Sequence, residues 1–306
     1  MTTFLSPWKG PLIGAYYYAT LPGRWWLSAA AARDGHAPVM VIYYHRVADY
    51  TPNDWTISNA RFNSEIDWLQ ANFDLVSLDE AQRRIREGNT RASVTITFDD
   101  GYAENCERAL PLLIGRRIPC TYFVTSYYAL TGKSFPHDVA AGTPLRPNTI
   151  AQLRALAAAG IEIGGHTRTH ADLGQITCER QLRDEIVGGR EDLEQALGIE
   201  IRHFAFPYGL HENLQAAAFH IAAGAGFAGV CSAYGGYNLP GDDPFHLQRI
   251  HADPQIVRLK NWLTIDPRNI RATARFNYKQ PPPESCVNPP PIERRDDSDL
   301  PPHSRT

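Results

Sequence analysis

Residues Val94–Tyr102 read "VTITFDDGY". Val94, Ile96 and Phe98 alternate with Thr95 and Thr97, which is the period of a β-strand. The strand then runs into two adjacent aspartates and a glycine. Asp and Gly are common turn residues, so a plain strand-ending turn is one reading. Neighbouring carboxylates, however, each disfavour ionisation of the other, and an apolar strand does nothing to relieve that. The other segments of the chain decide between a turn and a site.

Outward from this strand, seven short β-like runs can be picked out: 38–44, 93–98, 119–125, 161–165, 202–206, 226–231 and 246–251. Helical patterns separate most of them. "NARFNSEIDWLQANF" and "ERQLRDEIVGGREDLEQALG" space their apolar residues at about 3.6. "TIAQLRALAAAG" is rich in helix formers and stops at Gly160, a C-cap residue. Strands alternating with helices predict a parallel α/β sheet with right-handed crossovers. Their number fits a closed barrel better than an open sheet covered on both faces. In such barrels the active site lies at the C-terminal strand ends. Here those ends carry His45, Asp99 with Asp100, His166 with His170, Pro207-Tyr208 and His251.

The 306 residues are 43% hydrophobic and 21% charged, enough for one large core or two modest ones. A net charge of −3 lacks the basic excess of a nucleic-acid binder, so no nucleic-acid partner is expected. No apolar run is long enough to span a bilayer. The cysteines are scattered without a CxxC pair, which indicates neither a disulfide framework nor a cysteine zinc site. Residues 1–37 read as a helical extension. Its aromatic stretch, with Tyr16, Tyr17, Tyr18, Trp25 and Trp26, either packs across the domain or touches a membrane surface. No clear signal peptide is visible, so a cytoplasmic or membrane-peripheral location is expected. Residues 38–275 form the barrel, and 276–306, proline-rich and polar from Gln280, read as a disordered tail.

In "GGHTRTH" (Gly164–His170) the two histidines are four apart. On a helical turn they would share one face and could hold one metal ion, although such a pair is also common as two surface histidines. An added aspartate gives two histidines and a carboxylate with open positions, the form of a catalytic divalent-metal site. Such a set suits zinc, and also cobalt, nickel or manganese. One aspartate of the pair then ligates the metal, and the other stays free as a general base toward water.

"TFDDG", "HTRTH" and "FPYG", with "YYHRV" at Tyr43–Val47, resemble the polysaccharide deacetylase family (NodB homology, carbohydrate esterase family 4) over roughly residues 38–255. The resemblance implies a distorted seven-stranded (β/α) barrel, TIM-like, with a divalent metal that removes N-acetyl groups from an amino-sugar polymer or glycan. It makes Asp99 the base and Asp100, His166 and His170 the metal ligands. The third motif departs from the family, which has Arg two residues before the proline; in "FAFPYG" that place is Ala205. The backbone N–H of Tyr208 still serves as an oxyanion donor, since it needs no side chain. In "FHLQRIH", Leu247, Arg249 and His251 share one strand face. Arg249 is expected to replace the missing arginine at Asp99, and His251 to protonate the leaving amine, with His246 and His45 as competitors. The alternative has Arg249 pointing outward to Asp184 or Glu185. A deacylase of a non-sugar amide, or a non-catalytic carbohydrate-binding barrel, are the rival functions.

Overall fold

The computed structural model describes residues 9–252, 255–266 and 274–279. The apolar runs form strands β1 (Val39–Tyr44), β2 (Ser93–Phe98), β3 (Cys120–Val124), β4 (Glu162–Gly165), β5 (His203–Ala205), β6 (Gly229–Cys231), β7 (His246–Leu247) and β8 (Arg249–His251). They pair in parallel in chain order from β2 to β7, with β1 between β2 and β8. The run 246–251 closes the ring, because β7 pairs with β6 while β8 pairs with β1. Counted as one interrupted strand, it completes the seven-stranded barrel expected from the sequence. The break falls at Gln248, whose N–H donates to Asn238 Oδ1 (2.9 Å).

All six residues of β2 are buried, which a helix-covered parallel barrel requires. Val94, Ile96 and Phe98 pack outward with the helices, in one cluster with Leu69, Leu110 and Leu153. Thr95 and Thr97 take the opposite face, toward the barrel interior. The interior is filled by Val39, Val41, Phe123, Ala205, Cys231 and Leu247, together with Leu78, Ala81 and Ile85 of helix Leu78–Glu87. The barrel is therefore a packed core, and only its rim is open to chemistry.

Capping residues mark the helices. Ser58 accepts from the N–H of Arg61 and Ser77 from that of Glu80. Thr149 and Gln152 form a capping box at helix Ile150–Ala158. The helix expected over 179–198 is interrupted by a π turn at Asp184–Gly188. This turn serves the site below.

The N-terminal helix, Lys9–Arg33, buries Tyr17 and Arg24. Arg24 donates to Asn261 Oδ1 (2.7 Å) and pairs with Asp266 (3.1 Å), tying this helix to Ile256–Leu263 and the residues after it. The other side of the helix exposes Tyr18, Trp25 and Trp26. No helix among the described residues is long and apolar enough to cross a membrane. Of the residues assigned to the tail, 276–279 pack on the barrel: the Tyr278 ring stacks on Phe219 at 4.3 Å. The proline-rich segment from Gln280 lies outside the described residues.

Candidate active site

The site begins where β2 ends. Asp99 continues the ladder, its N–H donating to Tyr44 O (2.9 Å). The chain then reverses within three residues: Gly101 N–H donates to Asp99 O (2.9 Å), and Asp100 between them has φ 72°. This is a γ-turn with a non-glycine residue in the left-handed region, a strained arrangement of the kind that gathers at functional sites. Gly101 relieves part of it. Its own φ is 91°, and a Cβ there would meet Val124 at 3.2 Å. The turn brings the two carboxylates into one pocket, although neighbouring strand residues face opposite ways.

The histidines come from the loop after β4, and here the structure corrects the helical expectation. Residues 166–170 are not helical; Thr167 and His170 have φ of 61° and 63°, and this left-handed path makes the two rings converge (centroids 5.2 Å). Glu185 in the π turn fixes the loop. Its Oε2 accepts from the N–H groups of Arg168 (3.1 Å) and Thr169 (2.9 Å), and its Oε1 from Thr169 Oγ1 (2.7 Å). Asp184 pairs with Arg168 (2.5 Å). Both acids named as outward partners for Arg249 thus hold the histidine loop instead. Gly189 lets the helix approach, since a Cβ there would meet the backbone of Arg168 at 2.8 Å.

Ligand atoms of Asp100, His166 and His170 lie within 4.8 Å of one another. Asp100 Oδ1 is 3.1 Å from His170 Nε2 and 3.4 Å from His166 Nε2. The fit to a cation rests on the tautomer of His166. Its Nδ1 is 2.8 Å from the carbonyl oxygen of Ala205, to which only an N–H can donate. The proton is therefore on Nδ1, and Nε2 presents a lone pair toward the buried Asp100 Oδ1. That oxygen has no hydrogen-bond partner among the described residues. A lone pair beside an unsatisfied carboxylate oxygen is a donor set for a metal ion.

Asp99 has a different partner. Arg249 Nη1 is 2.6 Å from Oδ1 and Nη2 is 2.8 Å from Oδ2, a two-pronged pair between two almost fully buried side chains. Arg249 also donates to Thr97 Oγ1 (3.2 Å) and Ser232 O (3.0 Å). Burial raises the Asp99 carboxyl, and Arg249, with a contribution from His166, more than offsets this, leaving it below its ordinary value. Arg249 enters from the closing strand, in register with Val41 of β1. Ala205, small and fully buried, stands where the family motif has arginine, and the guanidinium reaches Asp99 from the closing strand instead.

Tyr208 repeats the turn geometry of Asp100. Gly209 N–H donates to Pro207 O (2.6 Å), and Tyr208 has φ 61°. Its ring stands 5.2 Å from His170, and its own N–H has no protein acceptor among the described residues.

The three candidate acids separate. His45 lines the pocket, and its Nδ1 has no partner among the described residues. His251 stacks near Tyr43 (5.1 Å) and lines an adjoining recess with His45 and Trp55. Burial lowers His45, and it lowers His251 to about 4. His246 is excluded from the pocket: it is buried against Phe219 and hydrogen-bonds Ser232 Oγ (2.9 Å).

The pocket, about 260 Å³, is completed by Tyr43, Trp55, His137 and Ala233. Sequence reasoning named none of these four as site residues. His137 packs edge-on against Trp55 and meets the buried Tyr102 hydroxyl (3.1 Å), which donates to Asp138 (3.0 Å). "FPHDV" has no strand pattern or motif spacing that would have flagged it.

Residues 86–228 match the sequence model of the family described as polysaccharide deacetylase. YxkH of Bacillus subtilis (strain 168) is 25% identical over 186 residues, 59% of this chain and 61% of that protein. A chitooligosaccharide deacetylase of Sinorhizobium fredii (strain NBRC 101917 / NGR234) is 32% identical over 137 residues, 44% of this chain and 54% of the relative. The chain thus spans less than two thirds of the length of either. IcaB from Ammonifex degensii superposes with a TM-score of 0.63 at 24% identity, over 75% of this chain and 98% of that one, which shows the shared fold. The segment that carries Asp99, Asp100, His166 and His170 belongs to the polysaccharide deacetylase family.

Proposed function

We propose that this barrel is a metal-dependent hydrolase that removes N-acetyl groups from an amino-sugar polymer or glycan. The observation that carries this reading is the division of labour in one pocket: a carboxylate held by arginine stands beside a carboxylate and two histidines arranged for a cation. Asp100, His166 and His170 would hold the ion, and their N₂O set suits zinc, with cobalt, nickel or manganese as substitutes. When bound, the ion supplies Lewis-acid polarisation of the acetyl carbonyl and lowers the pKa of water.

The remaining chemistry belongs to the chain. Asp99 takes a proton from the attacking water, and Arg249 keeps that carboxylate ionised and aimed. The Tyr208 N–H donates to the oxyanion of the tetrahedral intermediate, from a turn rigid enough to be placed in advance. A histidine gives the proton to the departing amine, either His251 from the adjoining recess or His45 from the pocket itself. His45 is the competitor that the geometry favours by position, and comparing His251→Asn with His45→Asn assigns the step. Acetate and a free amine result.

The N-terminal helix supports a peripheral membrane contact. Leu12, Tyr18, Trp25 and Trp26 are 62–70% exposed on it, while Arg24 turns inward. Aromatic rings with one wet edge suit a bilayer interface, which would place the enzyme at the membrane periphery. Co-flotation with anionic vesicles, lost in the double variant Trp25→Ala/Trp26→Ala, is the expected result.

Acetate release from N-acetylglucosamine oligomers, with and without chelator, tests the function. Release that chelator removes and zinc or cobalt restores is expected. Hydrolysis of a non-sugar amide without any release from the oligomers would overturn the glycan assignment.

A further inference from the structure

A second depression lies beside the run of chain that follows the Asp99–Gly101 turn. It encloses about 890 Å³, and its lining includes Tyr50, Thr51, Glu104, Glu107, Thr143 and Arg146. We infer that it is a distal subsite that binds a further, uncharged sugar unit of the same glycan; this rests on the glycan reading above.

The first argument is position. One short run of chain forms a wall of both spaces. Tyr102, the residue after the Asp99–Gly101 turn, bonds Asp138 and His137 at the edge of the reacting pocket. Its neighbours Ala103 and Glu104 line the depression. The run is tied to the far wall, since Ala103 N–H donates to Arg146 O (2.9 Å) and Asn148 N–H to Gly101 O (2.7 Å). Extended chain from Asp100 to Glu104 reaches at most about 14 Å. The depression is thus within the span of a few sugar units of Asp99, and a glycan with one unit there would place a further unit in it.

The second argument is chemistry. Glu104 is 7% exposed. One of its oxygens meets Arg46 (3.3 Å), and the other, Oε2, has no hydrogen-bond partner among the described residues. A buried acceptor left unmade is an invitation to an O–H donor. Arg46 is fully buried beneath the wall and donates to the carbonyls of Thr51 (2.6 Å) and Tyr50 (3.0 Å), which pins that loop. The Tyr50 ring is 48% exposed, yet its hydroxyl donates to Glu107 Oε1 (2.7 Å) and Arg46 Cζ lies 5.5 Å from its centre. It is a flat apolar surface fixed before any ligand arrives, which spares ordering entropy on binding. Glu104 is paired with Arg46, and Arg146 lines the same depression as Glu107, so the lining carries no cationic excess and the chemistry favours a neutral polyol over a phosphate or a polyanion. An aromatic plate, hydroxyls of Thr51 and Thr143, and an acceptor without a donor are what a pyranose ring uses.

The test is chain-length dependence with the metal-loaded enzyme. kcat/KM for acetate release should rise from the N-acetylglucosamine monomer to the hexamer. Tyr50→Ala should lower the hexamer value about tenfold through KM, the loss of one aromatic contact, and leave the shortest productive oligomer unchanged. Tyr50→Phe should restore most of the loss. Glu104→Gln, which keeps a group beside Arg46, should lower the hexamer value in the same direction. A length-independent kcat/KM, or an equal loss at every length in Tyr50→Ala, overturns the subsite while leaving the activity standing. No release from any oligomer overturns the glycan reading and the subsite together.

Discussion

Asp99 and Asp100 are chain neighbours in one pocket, yet they face different kinds of partner. On the Asp99 side stands a guanidinium whose charge is permanent and which has no lone pair to offer a metal. On the Asp100 side stand two imidazoles, at least one fixed in the tautomer that offers a lone pair. Arginine claims one carboxylate and keeps it ionised without ligating anything. The histidines share the other with whatever cation enters. The like-charge conflict of the aspartate pair is settled by giving each member its own compensation. On the proposed function, the type of cation beside each carboxylate, rather than its nearness, would separate a base from a ligand.

The largest expected effect breaks the histidine side. Asp100→Ala should reduce bound metal to background by elemental analysis and abolish acetate release. Wild-type metal content in that variant would mean that the two sides have been exchanged. Next comes the arginine side: Asp99→Asn should cut kcat by about 10²–10⁴ while metal content holds. Removing the guanidinium should cost less rate and more fold. Arg249→Ala leaves a buried carboxylate unpaired and should lower unfolding stability by about 3–5 kcal/mol, read as a shift in the urea midpoint. Arg249→Lys keeps the charge but loses the second prong, and a rate equal to wild type would show that orientation is unimportant. The smallest effect is on pH. The Asp99 pKa is depressed on folding, so its stabilising contribution is complete above the unfolded value near 3.9 and fades as pH falls through the lower folded value. In Arg249→Ala burial should instead raise the folded value above the unfolded one, which reverses the sign: the contribution of Asp99 is then present at low pH and is lost as pH rises through that raised value.

The barrel was legible because each strand is short, apolar and separated by helical spacing, the signal that burial itself imposes. The inward threonines of β2 looked like a polar face, and in the fold Thr97 accepts from the arginine that holds Asp99. The aspartates and histidines were legible as residue types at fixed spacing, although their convergence depends on left-handed backbone at Asp100, Thr167 and His170 that no spacing rule encodes. Arg249 could be found because a missing partner at Ala205 forced a search for a replacement, and the last strand places Arg249 on one face with Leu247 and His251. Trp55, His137 and Glu185 could not be found. Each reaches the site from a loop or helix whose position is set by tertiary packing, and each sits in local sequence that reads as something ordinary.

The closing strand has a consequence for how the protein matures. Arg249 follows its partner Asp99 by 150 residues, and the strand bearing it is the one that joins the two ends of the sheet. Contacts of such long sequence separation form late, because the entropy of loop closure must be overcome first. During synthesis, the strand ending in two aspartates emerges long before the residue that organises the first of them. A nascent or nicked chain can carry Asp99, Asp100 and both histidines and still hold its base unsupported. Completion of the barrel and pairing of Asp99 with Arg249 are one event, so on the proposed function hydrolytic competence would report that the last strand has docked.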